Sequence, residues 1–168
     1  MPSPHHEYRI LVAHGVNLDL LGKREPHIYG HTSLAGLNEN LERLLPSLCA
    51  AVGIEAKTSL SFFQTNSEEN YLRHFDVGWS GALVNPGAWS HTSLAVADRL
   101  AALELPFVEV HLSNLFQRES FRQQSFLSRG ALCVIQGSGI ISYQAGLLAL
   151  LSFLHGRNSD LRSVCMPR

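Results

Sequence analysis

The sequence alternates short, almost wholly apolar segments with longer segments in which leucine, valine and alanine recur at helical spacing. Short apolar runs predict strands covered on both faces, and the longer periodic segments predict amphipathic helices. The predicted strands are 10–13, 54–64, 81–85, 107–112 and 131–135. The predicted helices are 33–52, one that opens at 65–69, 91–103 and 140–154. This alternation is typical of a parallel sheet with helices on both faces.

Five such strands favour an α/β protein with a flavodoxin-like sheet, in the order 2-1-3-4-5. The length of 168 residues is ordinary for a single domain. We expect its core to run from about residue 8 to 154, with the ends, 1–7 and 155–168, flexible.

Composition argues against several classes of partner. The net charge of -1 gives no electrostatic reason to expect nucleic acid or an acidic membrane surface. The longest nearly apolar run, 145–154, is too short to span a bilayer, and no signal peptide is expected at the start. Three cysteines, Cys49, Cys133 and Cys165, stand at no metal-like spacing. A reduced, cytoplasmic compartment is the simplest interpretation.

Polar side chains follow the predicted strands where each strand ends. In a doubly wound sheet, ligands bind beyond the carboxyl ends of the strands. Any one polar residue there is usually structural, but eight of them form a dense ring, and two arginines, Arg118 and Arg122, lie downstream of the fourth strand. The sequence therefore predicts a site for a small, hydroxylated, anionic ligand. The ring comprises His14, Asn17, Gln64, Asn66, Asn85, His111, Ser113 and Gln136.

The loop 22–30 begins at the same edge of the sheet. Two glycines bracket it, and it contains cations and a tyrosine but little that would bury. Such a loop is either a solvated turn or a hinged lid over the site. Because a tyrosine ordinarily has a pKa of about 10, Tyr29 could act as a base only beside a cation such as Arg24 or Arg118.

Glu109 and His111 stand two residues apart on a predicted strand, so their side chains share a face. A carboxylate beside an imidazole fixes its tautomer and raises its basicity, which suits a general acid or base. Alternatively, Glu109 pairs with another basic residue and His111 caps a turn. The segment 85–93 places amide, hydroxyl and imidazole groups at a helix N-terminus, an anion or hydroxyl site. Asp98 is expected on the helical face of His91, by default as a surface or interface charge.

Other motifs are weaker. The segment 137–142 half-resembles a dinucleotide fingerprint but lacks the third glycine, so it predicts a tight strand-to-helix turn. Neither His27 with His31 nor His5 with His6 has a third metal ligand beside it.

Several of these segments together resemble the type II 3-dehydroquinate dehydratases, over about residues 8–154. The resemblance implies a lyase that removes water in trans from 3-dehydroquinate, through an enolate, to give 3-dehydroshikimate. It implies no metal and no cofactor, and a place in the shikimate pathway or in quinate catabolism. The matching phrases are NLDLLGKREP at 17–26 with YG at 29–30, NPGA at 85–88 with HTS at 91–93, EVHLSN at 109–114 and RESFR at 118–122.

The resemblance also implies a role for each matching residue. Tyr29 would be the base, held as phenolate by Arg24, with Arg118 nearby. His111, oriented by Glu109, would be the general acid. The other groups implied to hold water, the substrate carboxylate or the ring hydroxyls are Asn17, Asn85, Leu112, Ser113, His91 and Arg122.

Asp98 is implied to reach a neighbouring subunit's site, so we expect a homododecamer built from trimers. The sequence departs from the family's usual Asn-Gly-Pro-Asn after the first strand, reading His14-Gly15-Val16-Asn17. His14 adds a titratable group near the site, and Val16 frees the turn that positions Asn17. Phe116, Ser120 and Ser142 also replace usual residues of the family.

Two alternatives belong to other classes: a non-catalytic flavodoxin-like module that binds small anions, and a nucleotide- or flavin-binding protein of the same fold.

Overall fold

The computed structural model describes residues 7–23, 32–76 and 78–158. Its sheet has five parallel strands in the order β2-β1-β3-β4-β5, which confirms the predicted flavodoxin-like order. In chain order the strands are β1 (Tyr8–His14), β2 (Thr58–Gln64), β3 (Gly81–Asn85), β4 (Phe107–His111) and β5 (Val134–Gln136).

Four α-helices cover the sheet in the described part of the chain: α1 (Leu34–Val52), α2 (Glu68–His74), α3 (Leu94–Ala102) and α4 (Ile141–Asn158). The first three begin at a serine whose hydroxyl accepts a hydrogen bond from a backbone N–H three residues on. Helix α1 ends at Gly53, whose φ of 79° suits a residue without a side chain. None of the helices in the described ranges is long and apolar enough to cross a membrane.

Several predicted boundaries are wrong. The predicted helix 91–103 is two elements, a 3-10 helix at Gly87–His91 and then α3, because the Ser93 side chain caps a new helix. His91 and Asp98 therefore do not share a helical face. Helix α4 continues to Asn158, four residues beyond the predicted end.

The core lies on both faces of the sheet, and the alternation of side chains along β1 divides it. Ile10 and Val12 pack with the residues of α1 and α4, whereas Leu11 and Ala13 pack with those of α2 and α3. Because β1 lies inside the sheet, between β2 and β3, its residues from Ile10 to His14 are all buried. This arrangement leaves the carboxyl ends of the strands as the place where polar groups meet.

Candidate active site

A cavity of about 200 Å³ opens at the carboxyl ends of β1, β3 and β4. The loops after these three strands supply its walls, at the point where the strand order reverses. Most of the predicted site residues lie here, on elements far apart in the sequence. The lining residues are Val16, Asn17, Leu18, Leu20, Leu21, Asn85, Gly87, Ala88, His91, His111, Leu112, Ser113, Leu115, Arg118 and Arg122.

Two residues central to the predicted chemistry, Arg24 and Tyr29, lie outside the described residues, as does most of the predicted lid. The chain is described up to Lys23 and again from Thr32.

Glu109 and His111, at the end of β4, form a buried pair. His111 Nε2 donates a hydrogen bond of 2.7 Å to Glu109 Oε1. Ser125 Oγ donates to the same oxygen at 2.6 Å, and Ser128 Oγ donates to Oε2 at 2.9 Å. Of the two sequence interpretations, the carboxylate–imidazole pair is thus the one that the structure shows.

These hydrogen bonds decide the charge of the pair. Burial by itself would raise the pKa of Glu109, but the hydrogen bond and charge of His111 and the hydroxyls of Ser125 and Ser128 together lower it. Glu109 is therefore a carboxylate at neutral pH, and a carboxylate only accepts hydrogen bonds. His111 must then carry hydrogen on Nε2, which leaves Nδ1 as the nitrogen that can exchange a proton with a ligand.

His91 stands beside this pair at the end of the 3-10 helix after β3. Its ring stacks on that of His111, with centroids 6.4 Å apart and planes 16° apart. Its Nδ1 donates a hydrogen bond of 2.6 Å to the backbone oxygen of Gln124. Since a carbonyl oxygen only accepts, Nδ1 carries hydrogen and the tautomer of His91 is fixed as well.

Asn17 adopts a left-handed conformation, with φ of 65°. Its N–H donates a hydrogen bond of 2.7 Å to Asn66 Oδ1, which also accepts one from Gln64 Nε2 at 3.2 Å. Asn66 Nδ2 in turn donates to Asp19 Oδ1 at 3.2 Å. Gln64 and Asn66, two members of the predicted polar ring, hold the turn that carries Asn17 and do not line the cavity.

The floor of the cavity is backbone packed against backbone. A side chain at Gly87, whose φ is 63°, would place its Cβ 2.6 Å from the Val16 oxygen. Gly15 faces Pro86 even more closely, because a Cβ at Gly15 would lie only 2.3 Å from the Pro86 oxygen. Asn85 Oδ1 accepts a hydrogen bond of 3.1 Å from the Gly87 N–H, which ties its amide to this floor.

Arg118 and Arg122 bring two positive charges to the cavity. Glu119 Oε2 lies 3.3 Å from Arg122 Nε and 3.9 Å from Arg118 Nε, so one carboxylate partly balances both cations. The guanidinium carbon of Arg122 also lies 5.4 Å from the centroid of the Phe121 ring. The charge at this wall favours an anionic ligand.

His14, predicted near the site, is instead part of the core. It is fully buried, with Nδ1 3.0 Å from Tyr143 Oη and Nε2 2.9 Å from Asn38 Oδ1. Burial lowers its pKa to about 4, against the partly opposing hydrogen bond with Asn38, so it is neutral at pH 7. Gln136 is structural too, because its Oε1 accepts a hydrogen bond from the Leu115 N–H.

Asp98 is exposed on α3 and does not line this cavity. It borders a second, wider concavity of about 650 Å³, where Arg129 and Arg157 also lie. Its expected role in a neighbouring subunit stays a prediction.

The structure decides between the interpretations of the weaker motifs that lie in its described residues. Gly137 and Gly139 have φ of 91° and 58°, and Ser142 Oγ accepts a hydrogen bond from the Ser138 N–H, as a tight turn requires. Within the described ranges no group of three or more histidine, cysteine, aspartate or glutamate side chains could hold a metal ion. Cys49 and Cys133 are free thiols.

The fold and the cavity define an α/β protein whose site joins a carboxylate-held imidazole, a second imidazole and two arginines. Comparison with known proteins narrows this class. Residues 8–151 match the family described as dehydroquinase class II. The chain therefore belongs to the class II dehydroquinase family.

Its relatives and structural neighbours agree. The 3-dehydroquinate dehydratase of Alkalilimnicola ehrlichii is 44% identical over 151 residues, which cover 88% of this chain and 94% of that protein. That of Bordetella pertussis is 43% identical over 143 residues, covering 83% and 94%. The type II dehydroquinase structure from Propionibacterium acnes superposes with a TM-score of 0.71 at 35% identity, covering 89% of this chain and 99% of that one. The type II dehydroquinase from Butyrivibrio crossotus gives 0.71 at 31% identity, covering 86% and 97%.

Proposed function

We propose that this protein catalyses the dehydration of 3-dehydroquinate to 3-dehydroshikimate, in the shikimate pathway or in quinate catabolism. Its family membership supports the reaction. The observation that carries the proposal is the buried Glu109–His111 pair, which opens onto a cavity that two arginines also line. An elimination of water from a ketone needs a base for the α-proton, an anion stabiliser and an acid for the leaving hydroxyl.

His111 is the acid in this proposal. Its Nε2–H is committed to Glu109, so a proton on Nδ1 is the one given to the departing hydroxyl. Because that proton makes the ring an imidazolium, the carboxylate beside it stabilises the reactive form. Its neighbour His91, with Nδ1 already bonded to Gln124, presents Nε2 to a ring hydroxyl of the substrate.

Tyr29 is the proposed base, with Arg24 holding it as phenolate. Leu21 lines the cavity, and Tyr29 follows it by eight residues, which can span at most about 29 Å. The cavity wall contributes Arg118, a further cation that favours a phenolate there. Intact Tyr29 and Arg24 also argue against the non-catalytic binding module, which would not need them.

The remaining polar lining groups are proposed to hold the substrate. Asn17 fixes a water against the developing enolate, and the hydrogen bond from its N–H to Asn66 holds its left-handed turn in place. Asn85, Ser113 and the backbone at Leu112 form the carboxylate site beside the carboxyl ends of β3 and β4. Arg122 holds a ring hydroxyl.

We also propose that the protein assembles as a dodecamer of trimers in which Asp98 completes a neighbouring subunit's site. The exposure of Asp98, away from its own chain's cavity, supports a role outside that chain.

The test is the ultraviolet absorbance of the conjugated enone formed when 3-dehydroquinate is added. Wild type should generate the enone, and Tyr29→Phe should lose at least about 100-fold in kcat, the smaller end of a general-base contribution. Tyr8→Phe is the matched control, because Tyr8 bonds the Leu154 backbone oxygen in the core and does not line the cavity.

Binding of 3-dehydroquinate without any enone would favour the non-catalytic module. A yellow purified protein would favour the flavin-binding alternative.

A further inference from the structure

One segment, residues 124–128, runs between β4 and β5 and contacts His91 directly and His111 through Glu109. The Gln124 backbone oxygen accepts the hydrogen bond from His91. The side chains of Ser125 and Ser128 donate to the carboxylate that holds His111. Two imidazoles, one at the end of β4 and one at the end of the 3-10 helix after β3, are therefore oriented by one short stretch of chain.

The segment is itself firmly held. Leu127 is buried in the core cluster on the α2 and α3 side of the sheet. The Phe126 N–H donates a hydrogen bond of 2.8 Å to the Ser90 oxygen, and the Leu127 N–H donates to Ser125 Oγ at 3.1 Å. The Ser125 hydroxyl thus has a fixed direction, because its oxygen accepts one hydrogen bond while its hydrogen points to Glu109.

Glu109 needs these donors. Its side chain is fully buried, and an isolated buried carboxylate is strongly destabilised. His111 satisfies part of one oxygen, while Ser128 provides a donor to the other. Among the described residues, His111 on the same strand and Tyr71 on α2 are the titratable groups that interact with Glu109. The Tyr71 hydroxyl donates its hydrogen bond to the Ala13 oxygen and not to the carboxylate.

We propose that Ser125 and Ser128 are positioning residues of the proposed dehydration. They hold Glu109 ionised and in one orientation, and through it they fix His111 with hydrogen on Nε2 and Nδ1 toward the substrate. The inference rests on the proposed function for its kinetic consequences, but not for the state of the His111 ring.

The experiment compares Ser125→Ala, Ser128→Ala and the double variant with wild type. Without the hydroxyls, kcat should fall by about 10- to 100-fold in the double variant and less in each single one. KM should change by less than about threefold, because neither serine lines the cavity. Ser125→Thr and Ser128→Thr keep the hydroxyl and should restore kcat. Ser152→Ala on α4, whose hydroxyl bonds the Leu148 backbone oxygen, is the matched control.

The pH profile separates this role from a loss of packing. The serine hydroxyls lower the pKa of Glu109, so their removal raises it. Glu109 then takes up a proton at higher pH, and the acid limb of kcat should move to higher pH in the alanine variants but not in the threonine variants.

A readout independent of turnover completes the test. Nitrogen-15 shifts of the His111 ring should show hydrogen on Nε2 in wild type and a mixture of tautomers in the double variant. If the acid limb does not move and the tautomer does not change in the double variant, the proposal is overturned. If the double variant does not fold, the same two results in the single variants would overturn it. An inactive wild type would refute the proposed function, while the ring shifts would still decide the role of the serines.

Discussion

The free energy of unfolding of the wild type should fall as the pH is lowered from 7 to 5, and in the His14→Asn variant it should fall less. The pKa of His14 is lowered from 6.5 to about 4, chiefly by burial. As the pH falls through 6.5, the unfolded chain binds a proton at this ring and the folded chain does not. The unfolded state therefore gains stability, and the loss continues until the pH reaches about 4.

The size of the effect follows from the two pKa values. The pKa of His14 is 6.5 in the unfolded chain and about 4 in the folded chain. Proton linkage then lowers the free energy of unfolding by about 2 kcal/mol by pH 5 and by about 3 kcal/mol by pH 4. Asparagine cannot titrate, and its smaller amide side chain can still form a hydrogen bond with Tyr143 or Asn38. It also removes the stacking of His14 on Phe62, so its free energy of unfolding at pH 7 should be lower than that of wild type.

Urea unfolding at pH 7, 6 and 5, at a fixed protomer concentration, measures the difference in slope with pH rather than the absolute stability. His74→Asn is the comparison, because burial also lowers the pKa of His74 but this ring is only partly enclosed, and its effect should be smaller. Parallel pH dependences for wild type and His14→Asn would refute the reasoning, since they would mean that His14 does not stay neutral in the folded chain.

Two further predictions concern Gly87, which lines the cavity, and the proposed role of Asp98 in a neighbouring subunit. Gly87→Ala should lower the free energy of unfolding by about 2–4 kcal/mol and remove most of the activity, because φ is 63° and the new Cβ would press on Val16. In the control variant, Gly36→Ala in α1, the new Cβ meets only ordinary contacts, so its stability should be unchanged or higher. Equal stability of the two variants in thermal unfolding would contradict the argument. The Asp98→Asn and Tyr29→Phe variants should each have low activity. If Asp98 acts across subunits, random co-assembly of the two variants should restore about a quarter of the sites, namely those that combine an intact Tyr29 with a neighbour's intact Asp98. No recovery of activity, or a monomer mass by gel filtration, would contradict that role.

The fold was predictable because central parallel strands are buried on both faces and leave continuous apolar runs. Strand β3 begins and ends where the sequence predicts, at Gly81 and Asn85. The predicted strand 54–64 begins too early, because Ile54 is buried beneath the end of α1 without joining the sheet. The predicted fifth strand is displaced as well. The Leu132 N–H already bonds the Phe107 oxygen, yet the regular strand starts at Val134.

The site was predictable in outline from two rules. The strand-end rule brought Asn17, Asn85 and His111 to one cavity, and the period of two along β4 put Glu109 and His111 on the same face. The same period of two also indicates that His14 is a core residue, because its side chain lies on the same face of β1 as those of Ile10 and Val12.

The supporting hydroxyls had no such signal. Ser125 and Ser128 lie 16 and 19 residues beyond Glu109, in a loop without a periodic pattern. The backbone oxygen of Gln124, which fixes His91, has no side-chain signature at all.

The two faces of the sheet treat a buried ionisable group in opposite ways. On the α1 and α4 side, His14 meets one amide and one phenol, neither of which can balance a positive charge, so burial keeps the ring neutral. On the other side, Glu109 meets an imidazole and two hydroxyls, so the carboxylate keeps its charge despite complete burial. A histidine that acts as a general acid needs a fixed negative partner, whereas a neutral histidine in a protein core does not. The hydrogen-bond partners of each group, rather than the depth of its burial, therefore decide which of the two is charged at neutral pH.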